Sequence, residues 1–211
     1  MSSAWTGVIF AAPADLPAVR NRNIALPVAS SLAVDVAAPT LHAGGIVLHA
    51  TEGVWGLACD PFDAHTVERL LAIKHRAAAR GLIVIGASIE MFAPELASLS
   101  QSVREQIAGS WPGPDTWVVP NVRFPPWITG ARSTVAIRVP GHAQARALAL
   151  RFGGPLVSTS ANPAGRPPAR TEICARRYFQ RRVDRVLAGA TCGRGLPSRI
   201  RDAATGRVLR T

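Results

Sequence analysis

Apolar residues fall along this chain in short runs separated by turn-forming clusters, the spacing of an α/β protein rather than of a helical bundle. After the pair Gly44-Gly45, the run Ile46-Val47-Leu48-His49 has the length and continuity of a buried strand. The polar turn Thr51-Glu52-Gly53 leads to a second short strand, Val54 to Ala58, closed by Asp60-Pro61. From Ala64 to His75 the period changes to that of a helix. Val67, Leu70 and Leu71 share one face, and Lys74 extends that face to the helix end. Further strands are predicted at Leu82–Ile85, Thr116–Val119, Thr134–Val139 and Pro155–Thr159, with short ones near Arg185–Leu187, Ser198–Arg201 and Val208–Leu209.

Helical stretches are predicted at Ser30–His42, Ile89–Leu96, Gln101–Ala108, His142–Phe152 and Glu172–Arg182. In the first of these, Pro39 bends the helix or delays its start. Asn121 to Arg132, rich in Pro, Trp and Arg, reads as a loop, and Trp111-Pro112-Gly113-Pro114 as a rigid turn. Several strands lie too close in sequence for a crossover helix, so a mixed sheet flanked by helices fits better than a parallel one. Residues 1–30 show little periodicity and form an extension without an assignable element. Residues 31–211 form a single domain.

Composition narrows the class. With 48% hydrophobic and 18% charged residues among 211, the chain can bury a sizeable core. No apolar run reaches the roughly 20 residues of a membrane span, and the first residues lack a basic leader. The chain therefore reads as soluble and cytoplasmic, with no membrane partner. Cys59, Cys174 and Cys192 are odd in number and widely spaced, which argues for incidental thiols and against a disulfide framework or metal site.

The formal net charge of +11 is unevenly placed: residues 1–110 carry −2 and residues 111–211 carry +13. A polyanionic partner fits this asymmetry, whether nucleic acid or a phosphorylated ligand. The chain also has 23 arginines and one lysine, Lys74. A lone lysine marks a place for a compact point charge in a sequence that otherwise uses planar guanidinium.

The familiar nucleotide loops, G-x-x-x-x-G-K-[ST] and G-x-G-x-x-G after the first strand, are absent, as are G-x-S-x-G and H-E-x-x-H. Other segments concentrate chemistry. Lys74, Arg76 and Arg80 converge on phosphates or, more simply, cap a helix C-terminus. Ser158-Thr159-Ser160-Ala161-Asn162 follows a strand, where α/β sheets bind ligands, although a Ser/Asn turn closed by Pro163 has similar composition. In the turn after the first strand, Thr51 offers a hydroxyl, and Glu52 a base, a cation partner or a cap. Near the end, Ser198 is placed for a phosphate or sugar contact.

Taken in order, Thr51-Glu52-x-x-Trp55-Gly56, Lys74-x-Arg76-x-x-x-Arg80-Gly81-Leu82, Trp111-Pro112-Gly113-Pro114-x-Thr116, Ala136-x-Arg138-Val139-Pro140-x-His142, Ser158-Thr159-Ser160-Ala161-Asn162 and Pro197-Ser198-x-Ile200-x-Asp202 resemble the YrdC/Sua5 family of threonylcarbamoyl-AMP synthases. The resemblance spans about residues 33–211 and is greatest to the short bacterial form. It implies a YrdC/RibB-like fold, a twisted mixed sheet flanked by helices with a concave basic cavity. It further implies a nucleotidyltransferase that makes threonylcarbamoyl-AMP and pyrophosphate from L-threonine, bicarbonate and ATP, with Mg²⁺ carried by the ATP phosphates. The product would feed the N6-threonylcarbamoyl modification of adenosine 37 in tRNA through a transferase complex, with tRNA contact available to the basic C-terminal half.

By the same match Lys74, Arg76, Ser160 and Asn162 are the catalytic set. Thr51, Arg80, Thr116, Arg138, Ser158 and Ser198 bind ATP and threonine, and no protein metal site is implied. Ala50 stands where the family has proline, which loosens that turn. The family's R-P-x-x-K is Arg76-Ala77-Ala78-Ala79-Arg80, and the indole of Trp55 is expected to narrow the cavity. The alternative from composition alone is an RNA-binding or ribosome-maturation factor without ATP turnover, using Arg166, Arg170, Arg176, Arg177, Arg181 and Arg182 to track phosphates.

Overall fold

A computed structural model describes residues 28–193 and 198–210, with side chains from residue 31 onward. Pro197 of the last motif and nearly all of the N-terminal extension lie outside the described residues. Among the described residues, nine strands form one mixed sheet: β1 (Val47–Ala50), β2 (Trp55–Cys59), β3 (Ile83–Ile85), β4 (Asp115–Pro120), β5 (Thr134–Arg138), β6 (Leu156–Ser160), β7 (Arg185–Val186), β8 (Arg199–Asp202) and β9 (Val208–Arg210). Their order is β7-β1-β2-β6-β3-β5-β4-β8-β9. The β1/β7, β3/β5 and β4/β8 pairs are parallel, and the others antiparallel.

Among the described residues, seven α-helices cover the sheet: α1 (Val28–His42), α2 (Ala64–Lys74), α3 (Ala93–Leu96), α4 (Gln101–Ser110), α5 (Pro126–Thr129), α6 (Ala143–Phe152) and α7 (Glu172–Phe179). α1 begins before the predicted start and continues through Pro39. Proline lacks the N–H that would bond back one turn, but helical φ suits its ring. The unpredicted α5 lies in the Pro- and Trp-rich segment. Pro126 occupies its first turn, where a missing N–H costs nothing, and Gly130 ends it in the left-handed region at φ 66°.

Strand alternation divides the core in two. Leu48, Trp55, Leu57, Val84, Trp117, Val135, Ile137 and Val157 point to one face, under α2, α4, α5 and α7. Val47, Ala58, Ile85 and Leu156 point to the other, under α1 and α6. Those two helices pack on each other through Val34, Ala37 and Leu41 against Ala145, Leu148 and Ala149. They cover only part of their face.

On the uncovered part the cross-strand register aligns a row of residues. Gly56 lies opposite Ser160, Ser158 opposite Ile83, and Arg138 opposite Ile85. Thr116 is paired with Ile200, and Ile200 with Arg210. Cross-strand partners share a face, so five of the six sequence motifs meet on this open surface. Trp55 is offset by one position from Gly56. Trp55 is among the residues that line the cavity, but its indole is buried in the opposite core, so the ring does not narrow the open face as the sequence led us to expect.

Candidate active site

The open face forms a cavity of about 780 Å³. Its floor is Gly56, Ile83, Ile85, Ser158 and Ser160, and its rim includes Thr51, Glu52, Arg76, Arg138, Ser198 and Arg210. Six of the ten site residues read from the sequence thus line one space: Thr51, Arg76, Arg138, Ser158, Ser160 and Ser198.

Thr51 closes the turn after β1. Its Oγ1 donates to the Val54 carbonyl at 2.6 Å, and its N–H donates to the same oxygen at 3.1 Å. The turn is thereby held without the proline that Ala50 replaces. Gly56 brings the backbone close to the space above it, since a Cβ there would sit 3.3 Å from both His49 Nε2 and the Thr159 carbonyl.

Lys74, Asn162 and Thr116 stand directly behind the lining. α2 is capped at its start by Asp63, whose carboxylate accepts from Thr66 N–H at 3.1 Å, and ends at His75, which adopts φ 52°. This left-handed residue turns Arg76 toward the cavity and leaves Lys74 buried, 3% exposed, on the last helical turn. Lys74 Nζ donates to the Ser160 carbonyl and, at 2.8 Å, to the Asn162 carbonyl. Its own carbonyl accepts from Ala164 N–H at 2.9 Å. The one lysine thus fixes the loop from Ser160 to Ala164 at three points. Inside that loop Ser160 Oγ donates to Asn162 Oδ1 at 2.6 Å, and Asn162 Nδ2 donates to the Arg166 carbonyl at 2.7 Å. Thr116 Oγ1 donates to Ser198 Oγ at 3.0 Å, and so orients that hydroxyl from below.

Arg80 is the one predicted site residue placed apart. It is exposed on a single 3₁₀ turn, Ala78–Arg80, and is absent from the lining. Its charge nevertheless acts on Arg76. Arg76 Nη2 ties the loop by donating to the Gly81 carbonyl at 2.9 Å, while its buried Nε has no partner.

Arg210 and Glu52 are among the lining residues that the sequence missed or left open. Arg210 reaches the cavity because β9 pairs with β8. Its Nη2 donates to the Ser198 carbonyl at 2.9 Å. Only the edge-strand register could have placed it, and exposed residues on a three-residue strand give no periodic signal. Glu52, read as base, cation partner or cap, receives Arg138 Nη2 and the Gly141 N–H on Oε1. Arg138 Nε donates to the Gly113 carbonyl at 2.8 Å, which anchors the Trp111–Pro114 turn to the wall.

The electrostatics follow from this crowding. Burial pushes the Lys74 ammonium down to about 8, and the Arg76 charge adds to the effect. Burial also lowers Arg76, with help from Arg80 and Arg210, and lowers Arg210, with help from Arg138. Arg138 is lowered by burial and partly restored by Glu52. Cations that destabilise one another at close quarters form a site for a polyanion. Among the described residues no three His, Cys, Asp or Glu side chains gather as a metal site, and no helix is long and apolar enough to cross a membrane.

A family model, Sua5_yciO_yrdC, described as "Telomere recombination", matches residues 39–211, and the chain belongs to this family. It is 47% identical over 182 residues to a Pseudomonas fluorescens protein named "Threonylcarbamoyl-AMP synthase", covering 86% of this chain and 98% of that one. A Pseudomonas aeruginosa protein of the same name is 46% identical over the same coverage. Among solved structures, P. abyssi Sua5 complexed with L-threonine superposes with a TM-score of 0.80 at 28% identity. That match covers 85% of this chain and 54% of Sua5, so the chain spans about half the length of that protein. E. coli YciO, at 20% identity and a TM-score of 0.71 over 85% of this chain and 89% of its own, shares the fold.

Proposed function

We propose that this protein is a threonylcarbamoyl-AMP synthase, joining L-threonine, bicarbonate and ATP with release of pyrophosphate. The observation that carries the reading is the set of guanidiniums, Arg76, Arg138 and Arg210, facing one cavity beside the hydroxyls of Thr51, Ser158, Ser160 and Ser198. A volume of about 780 Å³ falls within the roughly 300–1,000 Å³ of small-molecule sites. The shared name of the Pseudomonas relatives, matched over nearly their whole length, supports the same chemistry, and the P. abyssi complex supports threonine as the amino acid.

Bicarbonate loses water to give carbon dioxide, and threonine's amine, giving up a proton, adds to that carbon to form a carbamate. A carbamate oxygen attacks the α-phosphorus of ATP, and the α–β bridging bond breaks to expel pyrophosphate. No protein nucleophile is required; positioning and charge stabilisation do the work. Arg76 and Arg210 neutralise the phosphates, and Ser160, held by Lys74 and Asn162, orients the reacting groups. Mg²⁺ arrives on the ATP phosphates, which suits a cavity whose only lining carboxylate, among the described residues, is already paired with Arg138.

The product serves tRNA adenosine 37 through a downstream transferase in the cytoplasm. Exposed Arg166, Arg170, Arg177, Arg181 and Arg182, which lie outside the cavity lining, supply the tRNA contact.

The purified protein is expected to release pyrophosphate only when ATP, bicarbonate and L-threonine are all present. Release that does not depend on threonine would sink the assignment. Arg210→Ala is expected to weaken ATP binding about tenfold, the ~1.4 kcal/mol of one charge-assisted contact, as read by calorimetry. Unchanged ATP affinity would remove Arg210 from the phosphate site.

A further inference from the structure

Among the described residues, every fixed charge on the cavity wall is positive except one. Glu52 sits at the rim with its side chain 12% exposed. Oε1 is fully engaged, by Arg138 Nη2 and by the Gly141 N–H. Oε2 is buried and has no hydrogen-bond partner. An unpaired carboxylate oxygen out of water is costly, about 1–3 kcal/mol or more for a charged group, so a built site that keeps one open reserves it for a donor.

The neighbouring cations do not supply that donor. Arg138 spends Nε on the Gly113 carbonyl, and Arg199 is bidentate to Asp115 at 2.7 and 2.9 Å. Arg210 donates to Ser198, and Arg146, whose charge also feels Glu52, donates to the Pro140 carbonyl at 2.7 Å. Gly141 permits the close approach of the carboxylate, since a Cβ there would stand 3.2 Å from Oε1.

We propose that Glu52 Oε2 is the recognition point for the α-ammonium of the amino-acid substrate. This rests on the function proposed above and extends it to a specificity determinant. ATP and bicarbonate bring mainly acceptors and negative charge to a cationic wall. Apart from the Mg²⁺ carried by ATP, which its own phosphates hold, only the amino acid brings a cation, and among the described residues Glu52 is the one lining carboxylate to meet it. The ion pair also places the nitrogen that must become the carbamate at the rim, near the Thr51 turn and across from the phosphate-facing arginines. Selection is for a free α-amino group: an N-acylated amino acid, or a 2-hydroxy acid of the same shape, leaves Oε2 without its counter-charge.

The test is calorimetric binding to the full chain of L-threonine and of 2,3-dihydroxybutanoate with threonine's configuration, in which a hydroxyl replaces the ammonium. ATP is titrated in parallel. For the native protein the hydroxy acid is expected to bind at least tenfold more weakly than threonine. Glu52→Gln, which keeps an oxygen for Arg138 and Gly141, is expected to lose at least tenfold in threonine affinity while ATP affinity changes less than threefold. It should also lose most of the preference for threonine over the hydroxy acid. Equal binding of the two acids by native protein overturns the proposal whether or not the variant folds. So does a variant that binds threonine as tightly as the native chain, or one that loses ATP and threonine together. Absence of threonine binding to native protein instead refutes the synthase reading itself.

Discussion

Lys74→Met is expected to lower pyrophosphate release by about 10²–10³-fold, the usual cost of removing one preorganised charge from a site of developing negative charge. Two effects combine. The ammonium is 3% exposed, and two of its three N–H groups hold the Ser160 and Asn162 carbonyls. Methionine fills the volume but leaves both carbonyls without their donor, so the loop that presents Ser160 Oγ loosens. It also removes the positive charge behind the cavity. Lys74→Arg is expected to restore little, because a planar fork on a longer stem cannot reproduce two bonds to adjacent carbonyls from a compact head. The ammonium is held down to about 8 by burial and by Arg76, so ATP affinity of the free enzyme should weaken as pH rises through that value. The dependence should vanish in Lys74→Met. Steady-state turnover and calorimetry across pH 7 to 9 check both statements. A variant within twofold of the native rate would confine Lys74 to a structural role.

Much of this was legible from the chain because the elements are short and bounded by strong punctuation. Strand positions follow from brief apolar runs between glycine and proline clusters, and helical faces from positions such as Val67, Leu70 and Leu71. The spacing that put Lys74 on that same face correctly implied that it turns inward, although not that it would hold the Ser160–Ala164 loop from behind. What the chain alone did not reveal is set by non-local pairing. That β7 joins β1 and that β8 lies beside β4 depend on contacts between residues 84 or more positions apart, and no local pattern encodes them. Arg210 enters the site only through that pairing. The orientation of Trp55 was misjudged for a different reason. It follows from parity with Gly56, which can be applied only once one face of the strand is known to be open.

Lowering the pH from 7 to 5 is expected to cost the protein about 2 kcal/mol of folding stability through His49 alone. The imidazole is fully buried on β1 opposite Gly56. Burial lowers its pKa from 6.5 to about 4, the charge of His142 adds to the shift, and the hydrogen bond to the Ala50 carbonyl opposes it. In the neutral ring Nδ1 donates to that carbonyl at 3.0 Å, leaving Nε2 as a buried acceptor with no partner. The unfolded chain takes up a proton below about 6.5, whereas the folded chain refuses it until about 4. The unfolded state therefore binds more protons throughout that window, and stability falls as pH drops through it. At about 1.36 kcal/mol per unit, a shift of this size yields roughly 2 kcal/mol by pH 5 and about 3 kcal/mol at its limit. Against the ~5–15 kcal/mol of a typical domain that is a large share. Asp60 and Glu95, both raised by burial, act in the opposite sense, because their folded forms bind protons more readily. Comparison with His49→Phe, which preserves volume and removes the proton site, isolates the histidine: urea unfolding at pH 7 and pH 5 should show a difference about 2 kcal/mol smaller in the variant. An equal pH dependence in the two proteins would show that His49 does not govern the acid limit. The result bears on function because the ring lies beside Gly56, on the same face of the sheet as the cavity. A proton there would add charge beside a cavity whose arginines already repel one another, so the neutral form is the one compatible with both the fold and the site.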